Sequence, residues 1–285
     1  MKNKNIPYEF QNIIRPTGKW FDPKLAELWR YRDLIWFLVR RNLIVVYKQT
    51  VLGPFWHVLQ AIITTFIYTF VFGRLAKLST DGTPQILFYM SGVVIWTYFS
   101  KCLVATSNTF IAHAQIFEKV YFPRMAVPVS IILSNLISFF IQCGLFVLFY
   151  AFYIIKGAKI ALQPALLWFP VLLVMISLLS LGLGIIVSAM TTRYRDLKFL
   201  VEFGVGLLMY TAPVVYPLST IPEKYWWIIL LNPLSAIIET LKFGLFGVGV
   251  FDYRYLTLSA LMIISILALG VMMFTRVEKN FVDTI

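Results

Sequence analysis

Charge is scarce in this 285-residue chain: only 13% of its residues are Asp, Glu, Lys or Arg. A soluble domain carries about 25%, so a water-covered surface is excluded. Acidic residues are the scarcer kind, 13 against 25 basic ones, leaving a net charge of +12. In a soluble protein that excess points to nucleic acid. Here the cations cluster at the ends of apolar runs. Anionic membrane lipid and the cytoplasmic bias of Lys and Arg account for them, and no nucleic-acid partner is expected. Cysteine is nearly absent. Cys102 and Cys143 both lie in apolar stretches, and two such residues define neither a metal site nor a disulfide framework. The first fifty residues hold no charge-free apolar run, so no cleavable signal peptide is expected. No Gly-x-x-x-x-Gly-Lys-Ser/Thr loop occurs, which excludes the usual backbone cradle for ATP. No cofactor is expected on this chain.

What is abundant is apolar: 60% of residues are hydrophobic. A membrane-crossing helix needs about 20 apolar residues, and the candidate spans are 54–72, 85–105, 127–155, 164–190, 199–216 and 255–274. An all-α integral membrane protein with six transmembrane helices is predicted. A further apolar region, 225–250, is interrupted by Asn232-Pro233, Glu239 and Lys242. Proline removes a backbone donor, and two charges inside a span are costly. Two short re-entrant helices that dip into the outer leaflet before the last span are expected.

Six spans put both termini on one side. With the N terminus inside, 18 Lys and Arg face the cytoplasm, whereas Arg74, Lys77, Lys156, Lys159, Lys224, Lys242 and Arg254 face out. Only cations near span ends count. Leaving out the seven before Leu34, the balance is 11 to 7. Cytoplasmic termini in the cytoplasmic (inner) membrane follow. The charged segment Arg193-Tyr194-Arg195-Asp196, with Lys198 beyond it, then emerges on the cytoplasmic side.

Three regions divide the chain: an N-terminal cytoplasmic arm (1–24), an amphipathic interfacial helix (25–53) and the membrane domain (54–285). At 100° per residue Leu28, Ile35, Val39 and Val46 share one face of the second region, with Arg30, Arg41 and Lys48 opposite. That is the pattern of a helix lying on a membrane, and Gly53-Pro54 ends it. Between the second and third spans (about 106–126) the segment 109–122 is too short and polar to cross. Yet Phe110, Ile111, Ile116 and Phe117 recur at helical spacing beside Glu118 and Lys119. A short amphipathic helix of this kind can lie in a partner's groove. Phe117, Glu118 and Lys119, flanked by Arg30, Arg41 and Lys48, are the candidate coupling contacts to a partner.

Catalytic signals are weak. His113 and Glu118 have a His-x4-Glu spacing similar to that of membrane acyltransferases, but no further group completes a catalytic geometry. A membrane-embedded glycolipid enzyme would need paired carboxylates or a nucleophile with its base. His57, beside Trp56, reads as an interfacial anchor. Acids lie almost wholly at span ends or in loops, with Glu202 in a first turn, which disfavours ion-coupled transport. Aromatics make up 17% of residues, and Phe66, Tyr68, Phe70 and Phe72 in the first span and Phe203 and Tyr210 in the fifth lie along the helices. Such rings stack on the apolar faces of sugars, and tyrosine adds a hydrogen-bonding tip. Packing against lipid or another helix is the alternative.

Four groups of residues carry a resemblance. Arg41…Tyr47-Lys48-Gln49-Thr50…Leu52-Gly53-Pro54…Trp56 resembles the junction of interfacial helix and first span in type-2 ABC exporter permeases for polysaccharides. Phe122-Pro123-Arg124…Pro128 is similar to their entry into the third span, and Arg193-Tyr194-Arg195-Asp196 to their second cytoplasmic loop. Thr211-Ala212-Pro213…Tyr216-Pro217-Leu218…Ile221-Pro222 and Asn232-Pro233-Leu234…Glu239 resemble their outer gate region, about 218–253. The match runs from about residue 28 to the C terminus and is nearest the O-antigen and teichoic-acid branch. The arm containing Ile14-Arg15-Pro16…Trp20 also fits O-antigen permeases.

The resemblance implies a homodimeric permease with two copies of a separate ABC ATPase subunit, which would carry ATP and Mg. It implies export of a lipid-linked, O-antigen-like polysaccharide through a channel lined by the first and fifth spans. Phe66, Tyr68, Phe70, Phe203 and Tyr210 are then candidate channel residues, and Tyr216, Pro217, Asn232, Pro233 and Glu239 candidate outer-gate residues. Export of teichoic acid, capsule, a drug or a small lipid is the alternative within transport.

Overall fold

The computed structural model describes residues 25–48, 52–113, 116–117, 122–158, 160–192, 194 and 196–280. The arm 1–24, Glu118, Lys119, Arg193 and Arg195 lie outside the described residues. Those described form helices and turns, with no strand among them. In chain order the helices are α1 (Leu25–Arg30), α2 (Arg32–Lys48), α3 (Phe55–Tyr68, extended by a π-helical turn Thr69–Leu75), α4 (Gln85–Ser107) and the single turn α5 (Thr109–Ala112). They continue with α6 (Ala126–Ile155), a 3-10 turn (Pro164–Trp168) leading into α7 (Phe169–Thr191), α8 (Leu197–Thr211), α9 (Trp226–Leu230), α10 (Pro233–Phe246) and α11 (Tyr253–Asn280).

Helices α3, α4, α6, α7 and α11 are long and apolar enough to cross a bilayer. Helix α8 has 15 residues, about 22 Å at 1.5 Å per residue, and stops at Thr211. Its expected last residues, Ala212 to Val215, are instead non-helical and buried. Non-helical backbone is tolerated at membrane depth only where protein covers it, and here it does. Helices α9 and α10 meet at a 114° bend across Leu231-Asn232. Asn232 accepts a hydrogen bond from the Leu234 amide at 3.1 Å, and Pro233 occupies the first helical position, which is how a new helix starts.

Contacts fix the direction of each crossing. At one end of the bundle, here the gate end, the Ser219 hydroxyl donates to Asp81 at 2.8 Å. The Gln163 amide there donates to the Gly244 carbonyl at 2.9 Å. The α9–α10 pair thus enters and leaves at the same end, as the re-entrant reading requires. At the other end Arg124 donates to the Glu278 carbonyl at 3.0 Å, and Phe110 stacks on Phe274 at 4.5 Å. Leu38 of α2 packs into that cluster. Both ends of the described chain therefore lie together, with α3, α4, α6, α7, α8 and α11 running between the two ends of the bundle.

Helix α4 is the axis, with every residue from Leu87 to Trp96 buried, whereas α3 buries only Ala61 and Thr65. Lipid offers helices no hydrophobic drive to associate, so close approach of small residues matters. A Cβ on Gly270 of α11 would lie 2.7 Å from the Gly182 carbonyl of α7, and one on Gly184 would lie 2.6 Å from Thr106 of α4. Gly270→Leu should therefore push α7 and α11 apart and cost about 1–3 kcal/mol, lowering the thermal unfolding midpoint of the purified protein. Gly144→Ala, where nothing lies within 4 Å, should not lower it. Equal midpoints for the two variants would contradict this packing.

Candidate transport path and gate

The gate end is built round one buried cation. Lys242 lies on α10 with 2% of its surface exposed. Its ammonium donates to the Pro213 carbonyl at 2.5 Å and sits 3.7 Å from the centre of the Phe88 ring. The carbonyl is available because Ala212 to Val215 are not helical, and residue 217, four positions on, is a proline with no amide to donate to it. Glu239, one turn earlier on the same face, is 1% exposed and accepts from the Val250 amide at 3.3 Å through Oε2. Its Oε1 has no hydrogen-bond partner, and the charge of Lys242 provides its main electrostatic compensation. Asp81, held at φ 51° in the loop before α4, faces the same pair and is clasped by Ser219. Gly249, at φ 108°, passes so close that a Cβ would stand 2.9 Å from Glu239 Oε2. Of the sequence-predicted gate residues, Tyr216 donates to the Tyr210 carbonyl at 3.3 Å, Asn232 donates to Thr211 at 3.2 Å, and Pro217 and Pro233 bound the turns.

The expected channel aromatics lie on α3 with its π-helical extension and on α8. Phe66, Phe70, Phe203 and Tyr210 each expose half or more of their surface. Tyr68 alone is tied down: its hydroxyl meets Met209 Sδ at 3.1 Å, and its ring packs edge-on against Phe72 at 5.6 Å. That contact joins α3 to α8, so the exposed rings belong to neighbouring helices. The π turn re-aims the end of α3, and its Gly73 abuts the Gln85 side chain.

At the α2 end the predicted coupling residues separate. Phe117 is 7% exposed and Phe110 1%. Both pack with Phe122, Leu38 and Phe274 in an internal cluster, so the apolar face of this segment is occupied by the protein's own core. Ile111 remains 42% exposed. Arg30 and Lys48 are exposed. Arg41 flanks the buried stripe of α2 and turns inward, with its guanidinium 3.4 Å from His113 Nε2. Burial, opposed by a hydrogen bond to the Thr109 carbonyl and reinforced by Arg41, holds the His113 pKa below its ordinary value. His113 is thus the neutral partner.

The model of the ABC-2 type transporter family matches residues 33–246 of this chain. The chain belongs to that family. Among similar proteins is the O-antigen export system permease protein RfbA of Klebsiella pneumoniae, 28% identical over 254 residues, 88% of this chain and 94% of its own. RfbA of Myxococcus xanthus is 26% identical over 220 residues, 76% and 81% of the two chains. The polysialic acid transport protein KpsM of Escherichia coli is 21% identical over 193 residues, 66% and 71%. The chain is thus a multi-pass component of an ABC-2 transporter and not an enzyme in its own right.

Geometry explains several of the family-like motifs. Phe122-Pro123-Arg124 plugs the α2 end: Phe122 joins the internal cluster, and Arg124 lies 5.5 Å over the Phe117 ring while capping α11. Ala212 to Tyr216 is the non-helical strip that gives Lys242 its acceptor. Sequence reasoning missed Lys242 itself, Phe88 and Asp81. Lys242 counted only as an outward cation that interrupts the apolar region 225–250, and the available signal was its position three residues after Glu239 inside an apolar helix.

Breaking a buried charge pair by removing one partner costs about 3–5 kcal/mol. Lys242→Met should therefore leave Glu239 uncompensated, lower the unfolding midpoint and open 212–250 to protease. The double variant Lys242→Met, Glu239→Gln should recover part of the loss. Additive losses would contradict the coupling.

Proposed function

We propose that the chain is the membrane subunit of an ATP-driven exporter that carries a lipid-linked polysaccharide across the cytoplasmic membrane. It works as a homodimer with two copies of a separate ABC ATPase, which hold ATP and Mg. The observation that carries this reading is the row of exposed rings on α3 and α8: Phe66, Phe70, Phe203 and Tyr210. Face by face, sugars present C–H surfaces to such rings and hydroxyls to the tyrosine tips, and a rail of several weak contacts lets a polymer slide. A second copy of the chain across this surface would enclose the rail. The similarity to an O-antigen export permease and a polysialic acid transport protein agrees with a glycan cargo. The Lys242–Pro213 assembly is the outer gate in this reading, with the re-entrant helices at the exit.

Orientation follows the 11-to-7 excess of Lys and Arg near span ends, which puts the α2 end and both termini in the cytoplasm. The ATPase contacts that end, through the outward residues of α5 and the segment bearing Glu118 and Lys119, with Arg30 and Lys48 flanking. Cysteine at Ser79 should be labelled by an impermeant maleimide added outside intact cells, and cysteine at Asp196 should not. The reverse pattern would overturn the orientation.

Tyr210→Ala should slow the appearance of surface polysaccharide by about tenfold, as loss of roughly 1.4 kcal/mol of sugar stacking per step predicts, while membrane protein level and ATPase association stay unchanged. Phe203→Ala should act similarly. Wild-type export by the double variant at normal protein level would refute the aromatic rail.

A further inference from the structure

A second polar feature lies away from the aromatic surface and the gate. One to three turns in from the α2 end, α2, α3, α4, α5 and α6 surround a cavity of about 510 Å³. Arg41, Asn42, His57, His113, Ser134 and Ser138 supply its polar wall, and Leu43, Val45, Ala105 and Ile131 its apolar one. Polar residues inside a span are expensive and mark function by default. Helix α6 nonetheless carries Ser134, Ser138 and Gln142 at four-residue intervals along one face of an otherwise apolar 30-residue helix.

One cation, Arg41, lines this wall, and a second, Lys101, stands behind His57. Arg41 has Asn42 Oδ1 at 3.3 Å and His113 Nε2 at 3.4 Å. Lys101 has Gln60 Oε1 at 3.0 Å and His57 Nδ1 at 3.4 Å, and His57 Nε2 in turn meets Ser138 at 3.1 Å. Every one of these partners is a neutral amide, hydroxyl or imidazole. Among the described residues no carboxylate lines the cavity. A cation on a low-dielectric wall and a second one behind it, both held by neutral groups, call for an anion. The anion must also suit the apolar wall, where Val45 is 57% exposed.

We propose that this cavity holds the phosphate of a lipid-anchored anion, with Arg41 on the phosphate and Lys101 adding its charge from behind His57, with His57, His113, Ser134 and Ser138 as polar neighbours, and with the chain of the lipid along Leu43, Val45, Ala105 and Ile131. Guanidinium and ammonium groups favour phosphate oxygens through charge-assisted hydrogen bonds. Resting on the export reading for its cellular meaning, the site loads the lipid end of the cargo at the α2 end while the sugars occupy the aromatic rail. The same chemistry fits an anionic phospholipid of the bilayer, and the test separates the two sources.

Full-length chain in phosphatidylcholine nanodiscs is titrated with polyprenyl diphosphate, phosphatidylglycerol and inorganic pyrophosphate, with bound lipid counted by native mass spectrometry. Polyprenyl diphosphate should bind at one per chain, and inorganic pyrophosphate should not. Arg41→Gln and Lys101→Gln should each weaken binding about tenfold, Arg41→Lys should retain most of it, and Arg32→Gln should change nothing. Ala105→Trp keeps both charges but fills the cavity, and should also block binding. Polyprenyl diphosphate outcompeting phosphatidylglycerol identifies the cargo's lipid; the reverse order identifies a bilayer lipid, and either supports the site. Wild-type binding by Arg41→Gln, Lys101→Gln and Ala105→Trp would overturn it, as would equal affinity for free pyrophosphate. Absence of glycan export by a complex whose lipid binding is intact would count against the export reading and leave the site standing.

Discussion

The gate end depends on a single ammonium group. Lys242 reaches the Pro213 carbonyl at 2.5 Å beneath the Phe88 ring, and this one contact reconciles two features that a bilayer would otherwise forbid. The first is the non-helical strip after α8, whose carbonyls need donors at membrane depth. The second is Glu239, whose carboxylate is buried on the same face of α10. One cation serves both. The strip, the re-entrant helices and the Asp81 loop all converge on it.

From that point the architecture can be followed downward. Helix α4 is buried on all sides, so its neighbours are set by close contacts such as Gly184 against Thr106. Helices α3 and α8 are left with one flank unburied, and their aromatic rings stay exposed on it. Meanwhile the α2 end is sealed by a cluster of phenylalanines, with Arg124 tying the start of α6 to the last helix. The exposed rings, the Lys242 assembly and the phenylalanine cluster thus fall on separate surfaces joined by the buried helix α4.

Much of this was readable from the sequence, because a run of about 20 apolar residues has few alternatives. The re-entrant pair was readable from Asn232-Pro233 together with two charges. The end of the fifth span carried a signal that apolar length alone overrode: Pro213 disfavours the helical conformation at the residue before it, and Ala212 is extended there. Phe117 was read as an outward contact, because helical spacing shows that apolar residues share a face but not what the face meets. Arg41 illustrates the same limit: periodicity set it opposite the apolar stripe, whereas its long side chain curls back to His113. The polar cavity had no sequence signature beyond scattered Ser, Asn and His residues on four helices far apart in the chain.

The central claim, that this chain conducts a lipid-linked glycan under power from a separate ATPase, is tested most directly in proteoliposomes. The chain and its partner ATPase are co-reconstituted with lipid-linked glycan, and lectin accessibility on the far face is followed after ATP is added. The account predicts ATP-dependent glycan accessibility that needs both proteins and is slowed when the aromatic rail is cut back. Glycan that stays on its original face while the complex hydrolyses ATP, or that crosses equally without ATP, would contradict it.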